Sequence, residues 1–488
     1  MRVRNLDLAI WDLSGKIANY VVVFFIAVVL TRILTPVEFG AFAIVLAVVS
    51  LSMMFVDIGF KSSIIQAREI SQIQLTTIFF INLFLGIVLL GLFSALAPQI
   101  EAFYGIDSLS FYVRVTALLF IFNSLTLVPM GLLQRDMRLR AISVISFASA
   151  AISGAAAIAL ALSGWRIWAL IFQHIVSAVT TMSLVYVVTR WRPSFSINFR
   201  SISSLWNYSY KLLLANLVGN VSNRLDVFVI GKIFPITLLG HYNRAHSLDA
   251  QSRTFFTSTI SALAFPFFSK IQDDNERVRT FYLRYLHYVA FFSTAVCGAL
   301  LIVGDDLILV LYTEKWALAG SLFQYIVASS FVYPINSLMT SVVSARGRSG
   351  MILKMSLLKK SVTSLCFIAL FSGSVYPFLV SLIFASVFSL GINATFVRKE
   401  IGTPLLSQFS IVFRYLVLAL AAAAGGHFAG YLATGPYSEL VLQGLAYASA
   451  FVLLFFAFRF TTIRELFSEI IIPRTRELIA QTFTTKAA

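Results

Sequence analysis

The chain has 488 residues, of which 59% are hydrophobic and only 12% are charged, and its formal net charge is +16. A water-soluble domain has roughly 25% charged residues, because its surface has to face water. The composition therefore excludes a soluble globular protein. It indicates a polytopic membrane protein, because apolar stretches of about 20 residues, each long enough to cross a bilayer, follow one another along the chain.

These stretches predict an all-α membrane protein with about 14 transmembrane helices. In chain order the predicted spans are 13–33, 40–60, 75–98, 111–133, 141–162, 166–189, 206–231, 248–268, 286–311, 319–344, 353–372, 375–396, 409–430 and 439–460. The connections between them are short. The last segment, 461–488, is polar with an apolar stripe, which is typical of an amphipathic tail on the cytoplasmic membrane surface.

Basic residues are distributed unevenly between the alternate connections of these predicted spans. Twenty-eight of the 37 lysines and arginines fall on one side and six on the other. Because Lys and Arg accumulate in cytoplasmic connections, both termini are predicted to lie in the cytoplasm. The positive charge is thus explained by membrane orientation, and no nucleic-acid partner is expected.

Two short sequences that lie 200 positions apart resemble each other. The connection after the first span, 32–42, reads RILTPVEFGAF, and the connection after the seventh, 232–242, reads KIFPITLLGHY. Both contain a base, an isoleucine, a proline turn, a glycine and an aromatic residue two positions later. The repeat predicts two equivalent halves of parallel topology, and such halves around a central cavity are a transporter architecture.

The repeat also predicts the domain organisation. Helices 1–6 form an N-terminal lobe over 1–190, and a cytoplasmic linker over 191–205 follows. Helices 7–12 form a C-terminal lobe over 206–397, and helices 13 and 14 are appended over 398–460.

Sequence signatures of enzymes are not found. There is no Gly-rich phosphate loop, no H-E-x-x-H motif and no G-x-S-x-G motif, and the histidines lack the spacing of metal ligands. We therefore expect no catalytic residue, no metal site and no bound cofactor. The remaining candidates are polar residues inside apolar spans, where burial is costly and a functional role is the first hypothesis.

These polar residues predict a substrate-binding cavity. The candidates are Lys16, Asn19, Asn216, Asn220, Asn223, Arg224, Asp226, Arg253, Lys359 and Lys360. The seventh span contains a polar stripe at spacings of three and four, which is typical of one helix face; it consists of Asn216, Asn220, Asn223 and Arg224. Two simpler readings stay open, namely an interfacial ion pair between Asp12 and Lys16 and a structural pair between Arg224 and Asp226. Asp57, just before Gly59, is interpreted as a structural cap or a loop contact rather than a substrate contact.

Five motifs resemble the polysaccharide-exporter branch of the multidrug/oligosaccharidyl-lipid/polysaccharide (MOP) superfamily, which contains the Wzx-type flippases of O-antigen and exopolysaccharide. They are RILTPVEFG at 32–40, DIGF at 57–60, LQRDMR at 133–138, the stretch 225–245 with LD at 225–226, IGK at 230–232 and LGHYNRA at 239–245, and FPFFSKIQDD at 265–274. The resemblance covers residues 10–400. The sequence departs from the family at 234–236, where Phe-Pro-Ile stands and a glycine is more usual.

The resemblance implies two six-helix lobes around a V-shaped cationic cavity, with alternating access. The implied substrate is an undecaprenyl-pyrophosphate-linked oligosaccharide, moved from the cytoplasmic to the periplasmic leaflet of the bacterial inner membrane. Membrane lipids are further expected partners, and a glycan polymerase and a chain-length regulator are candidate protein partners. Coupling to a gradient of H⁺ or Na⁺ is one option for the driving force.

Three alternatives to this function are considered. A cation-coupled multidrug exporter and a lipid II flippase belong to the same superfamily and stay open. A membrane glycosyltransferase or polymerase is disfavoured, because the first outer connection contains one acidic residue, Glu38, and no outer connection is long.

Overall fold

A computed structural model of the chain describes residues 2–67, 69–202, 224–433 and 435–457. These residues are helical and contain no β-strand. The fold is therefore all-α, as the sequence predicts. Contacts between residues divide the chain into two compact units, Met1–Asn243 and Arg244–Ala488, here called unit 1 and unit 2.

The helices of unit 1 follow the predicted spans, except that a short helix lies between the second and third spans and that the fourth span, 111–133, is divided into two helices. Its described helices are α1 Arg2–Ile33, α2 Pro36–Asp57, α3 Phe60–Gln66, α4 Gln72–Tyr104, α5 Leu109–Thr116, α6 Leu119–Arg135, α7 Leu139–Leu162, α8 Ile167–Thr189 and α9 Leu225–Ile233. The next helix, α10 Ile236–Lys270, begins in unit 1 and continues into unit 2.

Unit 2 continues with seven further described α-helices and two short 3-10 helices, Glu314–Trp316 and Phe367–Ser372. The α-helices are α11 Asn275–Tyr312, α12 Ala317–Ser330, α13 Val332–Ala345, α14 Ser349–Cys366, α15 Tyr376–Ile401, α16 Leu405–Gly430 and α17 Pro436–Ala457. Several helices start earlier than the apolar span predicted for them. For example, α11 begins at Asn275, because the Asp274 carboxylate caps it by accepting from the backbone N–H of Arg277 at 3.0 Å.

Among the described residues, 12 stretches are long and apolar enough to cross a membrane, so the chain is a multi-pass membrane protein. They coincide with 12 of the predicted spans. The predicted span 248–268 lies within α10 and is not among them, because Asp249, Arg253 and several Ser and Thr residues lower its mean hydropathy. Most of the predicted span 206–231 lies outside the described residues, so the count of about 14 stays a prediction.

One boundary differs from the prediction inside span 206–231. In the described part of this span, helix α9 begins only at Leu225, and Arg224 before it has non-helical backbone angles (φ −126°, ψ −3°). Asp226 lies in the first turn of α9, where the helix dipole favours a negative charge. The predicted lobe boundary at 191–205 also stays a prediction, because 203–223 lies outside the described residues.

The two similar connections have the same backbone geometry. Thr35 before Pro36 has φ −98° and ψ 160°, and Phe234 before Pro235 has φ −113° and ψ 161°. Both residues are extended because a following proline disfavours helical angles, and a helix begins directly after each turn. The Phe-Pro-Ile sequence at 234–236 therefore makes the same turn as its counterpart.

The first turns of α2 and α10 also contact each other through glycines. A Cβ atom on Gly40 would lie within 3.0 Å of the carbonyl oxygen of Ile236, and a Cβ atom on Gly240 would lie within 3.0 Å of the carbonyl oxygen of Pro36. Each glycine thus faces the carbonyl oxygen of a residue in the first turn of the other helix. The two connections therefore need glycine for the same reason, which is close backbone approach.

We expect Gly40→Ala and Gly240→Ala each to lower the free energy of unfolding by about 1–3 kcal/mol, the usual cost of overpacking. The obstructing atoms belong to the backbone, so they cannot rotate away. Thermal unfolding of the purified protein in detergent measures the effect. Gly91→Ala in α4 is the matched control, because a Cβ atom there meets nothing within 4 Å. An equal loss in the control variant would contradict the packing argument.

Candidate functional site

Unit 2 contains a cavity of about 630 Å³ between α10, α13 and α14. Most of the side chains around it carry a hydroxyl or amide group. The lining residues are Ser261, Ala262 and Phe265 from α10, Tyr333, Asn336, Ser337, Thr340, Ser341 and Ser344 from α13, and Lys359 from α14. The cavity is thus a polar space inside a unit whose helices are largely apolar.

The spacing of polar residues explains how two helices line this cavity. On α13, Ser337, Ser341 and Ser344 recur at intervals of three or four, so they share one helix face. The Ser337 hydroxyl lies 2.7 Å from the Ser261 hydroxyl and donates to the carbonyl oxygen of Thr257 at 3.2 Å. These bonds join the polar faces of α10 and α13 along the cavity wall.

Asn336 is fixed at the cavity wall by a buried amide chain. Its Nδ2 donates to the Ser389 hydroxyl at 2.9 Å, and its Oδ1 accepts from Asn393 Nδ2 at 2.7 Å. Asn393 is fully buried, and its Oδ1 has no hydrogen-bond partner among the described residues. These two hydrogen bonds leave the Asn336 side chain little freedom to turn away from the cavity.

Lys359 supplies a positive charge to the cavity. The side chain is half-buried, and its ammonium group makes no hydrogen bond or ion pair with any residue that the structure describes. A cation within a membrane span is costly unless it meets water, a ligand or an opposite charge. Lys359 is therefore available to an anionic ligand, whereas the adjacent Lys360 does not line the cavity.

Arg253 reaches the cavity indirectly. Its Nε forms an ion pair with Asp249 Oδ2 at 2.7 Å, and Asp249 is only 3% exposed. The guanidinium group lies over the Tyr333 ring, 4.4 Å from the ring centroid, and also contacts His246 Nε2 at 3.3 Å. Arg253 thus positions Tyr333, which lines the cavity, and its own charge is balanced by Asp249.

The remaining described candidates lie in unit 1. Lys16 is exposed, and Asn19 is half-buried with a side-chain oxygen that has no described hydrogen-bond partner. Asp226 accepts from the Tyr242 hydroxyl at 2.7 Å, and its second oxygen is buried without a described partner. Although Arg224 and Asp226 are both described, no ion pair joins them. Asn216, Asn220 and Asn223 lie outside the described residues.

Asp57 is a cap, as predicted, because its Oδ1 accepts from the backbone N–H of Lys61 at 3.1 Å after the turn at Gly59.

The polar face of α13, which is formed by Ser, Thr and Asn side chains, was not predicted. Its signal is the recurrence of polar residues at helical spacing within span 319–344, which a search for charged residues overlooks.

In the part of the chain that the structure describes, no group of three or more His, Cys, Asp or Glu side chains could bind a metal ion. The cavity in unit 2 instead offers hydroxyl groups, amides and one ammonium group. Such an arrangement can bind a hydroxylated ligand that carries an anionic group.

Comparison with known proteins gives one family and several relatives. The sequence profile of a family described as "Polysaccharide biosynthesis protein" matches residues 29–321. An uncharacterized membrane protein in the cps region of Klebsiella pneumoniae is 24% identical over 319 residues, which are 65% of this chain and 66% of that protein. The succinoglycan biosynthesis transport protein ExoT of Rhizobium meliloti (strain 1021) is 23% identical over 415 residues, 85% of this chain and 84% of that protein. The chain thus spans just under two thirds of the Klebsiella relative.

Solved structures share the fold. The lipid II flippase MurJ in an inward closed conformation matches with a TM-score of 0.73 at 13% identity, over 92% of this chain and 99% of that protein. An inward-facing multidrug resistance transporter of the MATE family, from the MOP superfamily, matches with a TM-score of 0.60 at 13% identity, over 78% and 94%. At these identities the likeness concerns the fold alone.

The ion pair beneath Tyr333 generates a stability prediction. We expect Arg253→Ala to lower the free energy of unfolding by about 3–5 kcal/mol, because it leaves the buried Asp249 carboxylate without its counter-charge. The double variant Arg253→Ala/Asp249→Ala should recover most of this loss. Unfolding of the purified protein in detergent measures both variants.

Arg348→Ala is the control for this prediction. Its side chain is 60% exposed, and its partner Glu400 keeps a second ion pair with Arg346 at 2.9 Å. The cost there should be at most about 1 kcal/mol. A double variant less stable than Arg253→Ala would contradict the expected role of Asp249.

Proposed function

The chain belongs to the polysaccharide biosynthesis protein family, and from that premise we propose that it is a flippase for a lipid-linked oligosaccharide. The proposed substrate is a repeat unit attached to undecaprenyl pyrophosphate, used to build O-antigen or exopolysaccharide. The protein would move this substrate from the cytoplasmic to the periplasmic leaflet of the bacterial inner membrane by alternating access. The cytoplasmic position of both termini is part of the same proposal.

One observation carries the proposal, namely the polar cavity of unit 2 with its unpaired Lys359. A glycan cannot cross about 30 Å of hydrocarbon unaided, because every hydroxyl group would lose its hydrogen bonds to water. The serine, threonine and asparagine side chains of the cavity can replace those bonds. The ammonium group of Lys359 can offset the lost hydration of a phosphate group.

The relatives support a polysaccharide substrate over the two alternatives. The name of ExoT describes a transport protein of succinoglycan biosynthesis, whereas the matches to MurJ and to the MATE transporter rest on the fold at low identity.

The driving force and the protein partners complete the proposal. Coupling to a gradient of H⁺ or Na⁺ is our working assumption. A glycan polymerase and a chain-length regulator would receive the translocated repeat unit, since these proteins act on the same lipid-linked glycan in the periplasm.

Replacement of Lys359 tests the proposed function. In a strain that lacks the native protein, we expect Lys359→Ala to lower surface polysaccharide by at least about tenfold and to leave lipid-linked repeat units on the cytoplasmic leaflet. Lys359→Arg should retain part of the activity because it keeps the charge. Surface glycan and leaflet distribution of the lipid-linked intermediate are the measurements, at matched protein levels in the membrane.

Lys354→Ala is the matched control, because Lys354 lies on the same helix, is exposed and does not line the cavity. Normal export by Lys359→Ala would remove this residue from the substrate path. Hydrolysis or extension of the glycan by the purified protein would overturn the transporter proposal itself.

Arg224 provides a second test in unit 1. We expect Arg224→Ala to lose export and Arg224→Lys to retain part of it, because lysine keeps the charge but not the planar, bidentate donor geometry that suits a phosphate. No ion pair joins Arg224 to Asp226, so the double variant Arg224→Ala/Asp226→Ala should not restore export. Full restoration would assign Arg224 a structural role.

A further inference from the structure

A second cavity, of about 530 Å³, lies in unit 1 and has a different character. Three connections enclose it: the start of α2, the turn before and into α5, and the turn before α8. These connections fall on the predicted periplasmic side of the membrane, where the basic residues are few. The residues that carry its chemistry are Glu38, Asp107, Tyr112, Trp165, Arg166 and Trp168.

The two tryptophans of this cavity differ in their surroundings, because Trp168 packs against several aromatic rings whereas Trp165 is half-exposed. Trp168 makes edge contacts with Phe111 at 5.1 Å and with Tyr112 at 5.2 Å between ring centroids. Trp165 contacts Phe172 at 6.2 Å and remains 50% exposed. A half-exposed indole in a concave site offers a flat apolar face to a ligand.

Charged groups surround these rings. Glu38 Oε2 accepts from the backbone N–H of Thr35 at 2.7 Å, while Glu38 Oε1 lies 3.7 Å from Arg166 Nε. The distance of 3.7 Å is long for an ion pair, and the Arg166 side chain is 82% exposed. Asp107 is exposed at the opposite connection. The cavity therefore presents hydrogen-bond donors and acceptors beside an aromatic face.

The backbone that presents these groups is strained. Arg166 has φ +45° and ψ −125°, a conformation that residues with a Cβ atom rarely adopt, and Gly164 has φ +81°. Backbone N–H groups of Trp168 and Ala169 bond to the carbonyl oxygens of Trp165 and Arg166 and keep this turn in place. Strain of this kind concentrates at ligand-binding sites.

We propose that this cavity of unit 1 is a saccharide-binding site, distinct from the cavity of unit 2. Sugar rings combine hydroxyl groups, which both donate and accept hydrogen bonds, with apolar C–H faces that pack on indole rings. A tryptophan that merely anchors the chain at the membrane interface needs neither carboxylates nor a strained arginine beside it. The identity of the saccharide, the glycan part of the lipid-linked substrate, rests on the proposed function.

The proposal is tested by titrating the full-length protein in nanodiscs with the repeat-unit oligosaccharide released without lipid from the polysaccharide of the source organism. Binding is followed by saturation-transfer NMR and calorimetry. We expect Trp165→Ala and Arg166→Gly each to weaken binding by at least about tenfold. Arg166→Gly should at the same time raise the unfolding temperature, because glycine relieves the positive φ. A loss of binding in a more stable protein excludes a folding defect as its cause.

Tyr437→Ala is the control, because Tyr437 is an aromatic residue 68% exposed at the start of α17, on the predicted periplasmic side. It should bind the oligosaccharide as the unsubstituted protein does. The same titration with the lipid-linked repeat unit identifies what the site recognises. Equal weakening for both probes supports a saccharide site, whereas weakening for the lipid-linked probe alone overturns it.

A translocation assay in vesicles separates this inference from the proposed function. If the unsubstituted protein translocates the lipid-linked unit but Trp165→Ala and Arg166→Gly bind the free oligosaccharide normally, the saccharide site fails and the flippase stands. If binding is lost as expected but the unsubstituted protein does not translocate, the flippase fails and the saccharide site stands. Absence of oligosaccharide binding to the unsubstituted protein also overturns the site.

Discussion

Within a bilayer every polar group has to find its partner inside the protein, and this constraint explains most of what the structure shows. Backbone groups meet it through helices, which is why the described residues contain helices and no strands. Polar side chains meet it by bonding to backbone carbonyls, to one another or to a wet cavity. The hydroxyl groups of Ser261 on α10 and Ser337 on α13 bond to each other, and that of Ser337 also bonds to a backbone carbonyl. Both serines line the cavity of unit 2, which results from the alignment of such polar side chains.

The charged residues divide according to the same constraint. Arg253 and Asp249 neutralise each other beneath Tyr333, so their contribution is to position that ring at the cavity. Lys359 has no such partner among the described residues, and its charge is available to a ligand. Of two cations near one cavity, therefore, one has a structural role and the other is the better candidate for binding a phosphate group.

The two cavities suit different parts of an amphipathic glycolipid. The cavity of unit 2 combines small polar side chains with a single cation, a combination suited to hydroxyl groups and an anionic linkage. The cavity of unit 1 combines indole rings with carboxylates and a guanidinium group, a combination suited to the faces and edges of sugar rings.

The membrane class, the all-α fold, 12 of the spans and the family resemblance can be predicted from the amino-acid sequence alone. These properties follow from composition, from the length of apolar runs and from local turn chemistry, which are all readable along the chain. The equivalence of the connections at Pro36 and Pro235 can also be predicted, because a proline disfavours helical backbone angles in the residue before it.

The contact of Gly40 and Gly240 with each other's connection, in contrast, is found only in the folded protein. The tertiary structure likewise decided which candidates meet at one cavity, because Arg253 and Lys359 are more than 100 positions apart and only helix packing brings them near Tyr333. Pairing of charges across helices has no signal along a single sequence, since the partner of each side chain depends on which helix faces it are turned toward each other.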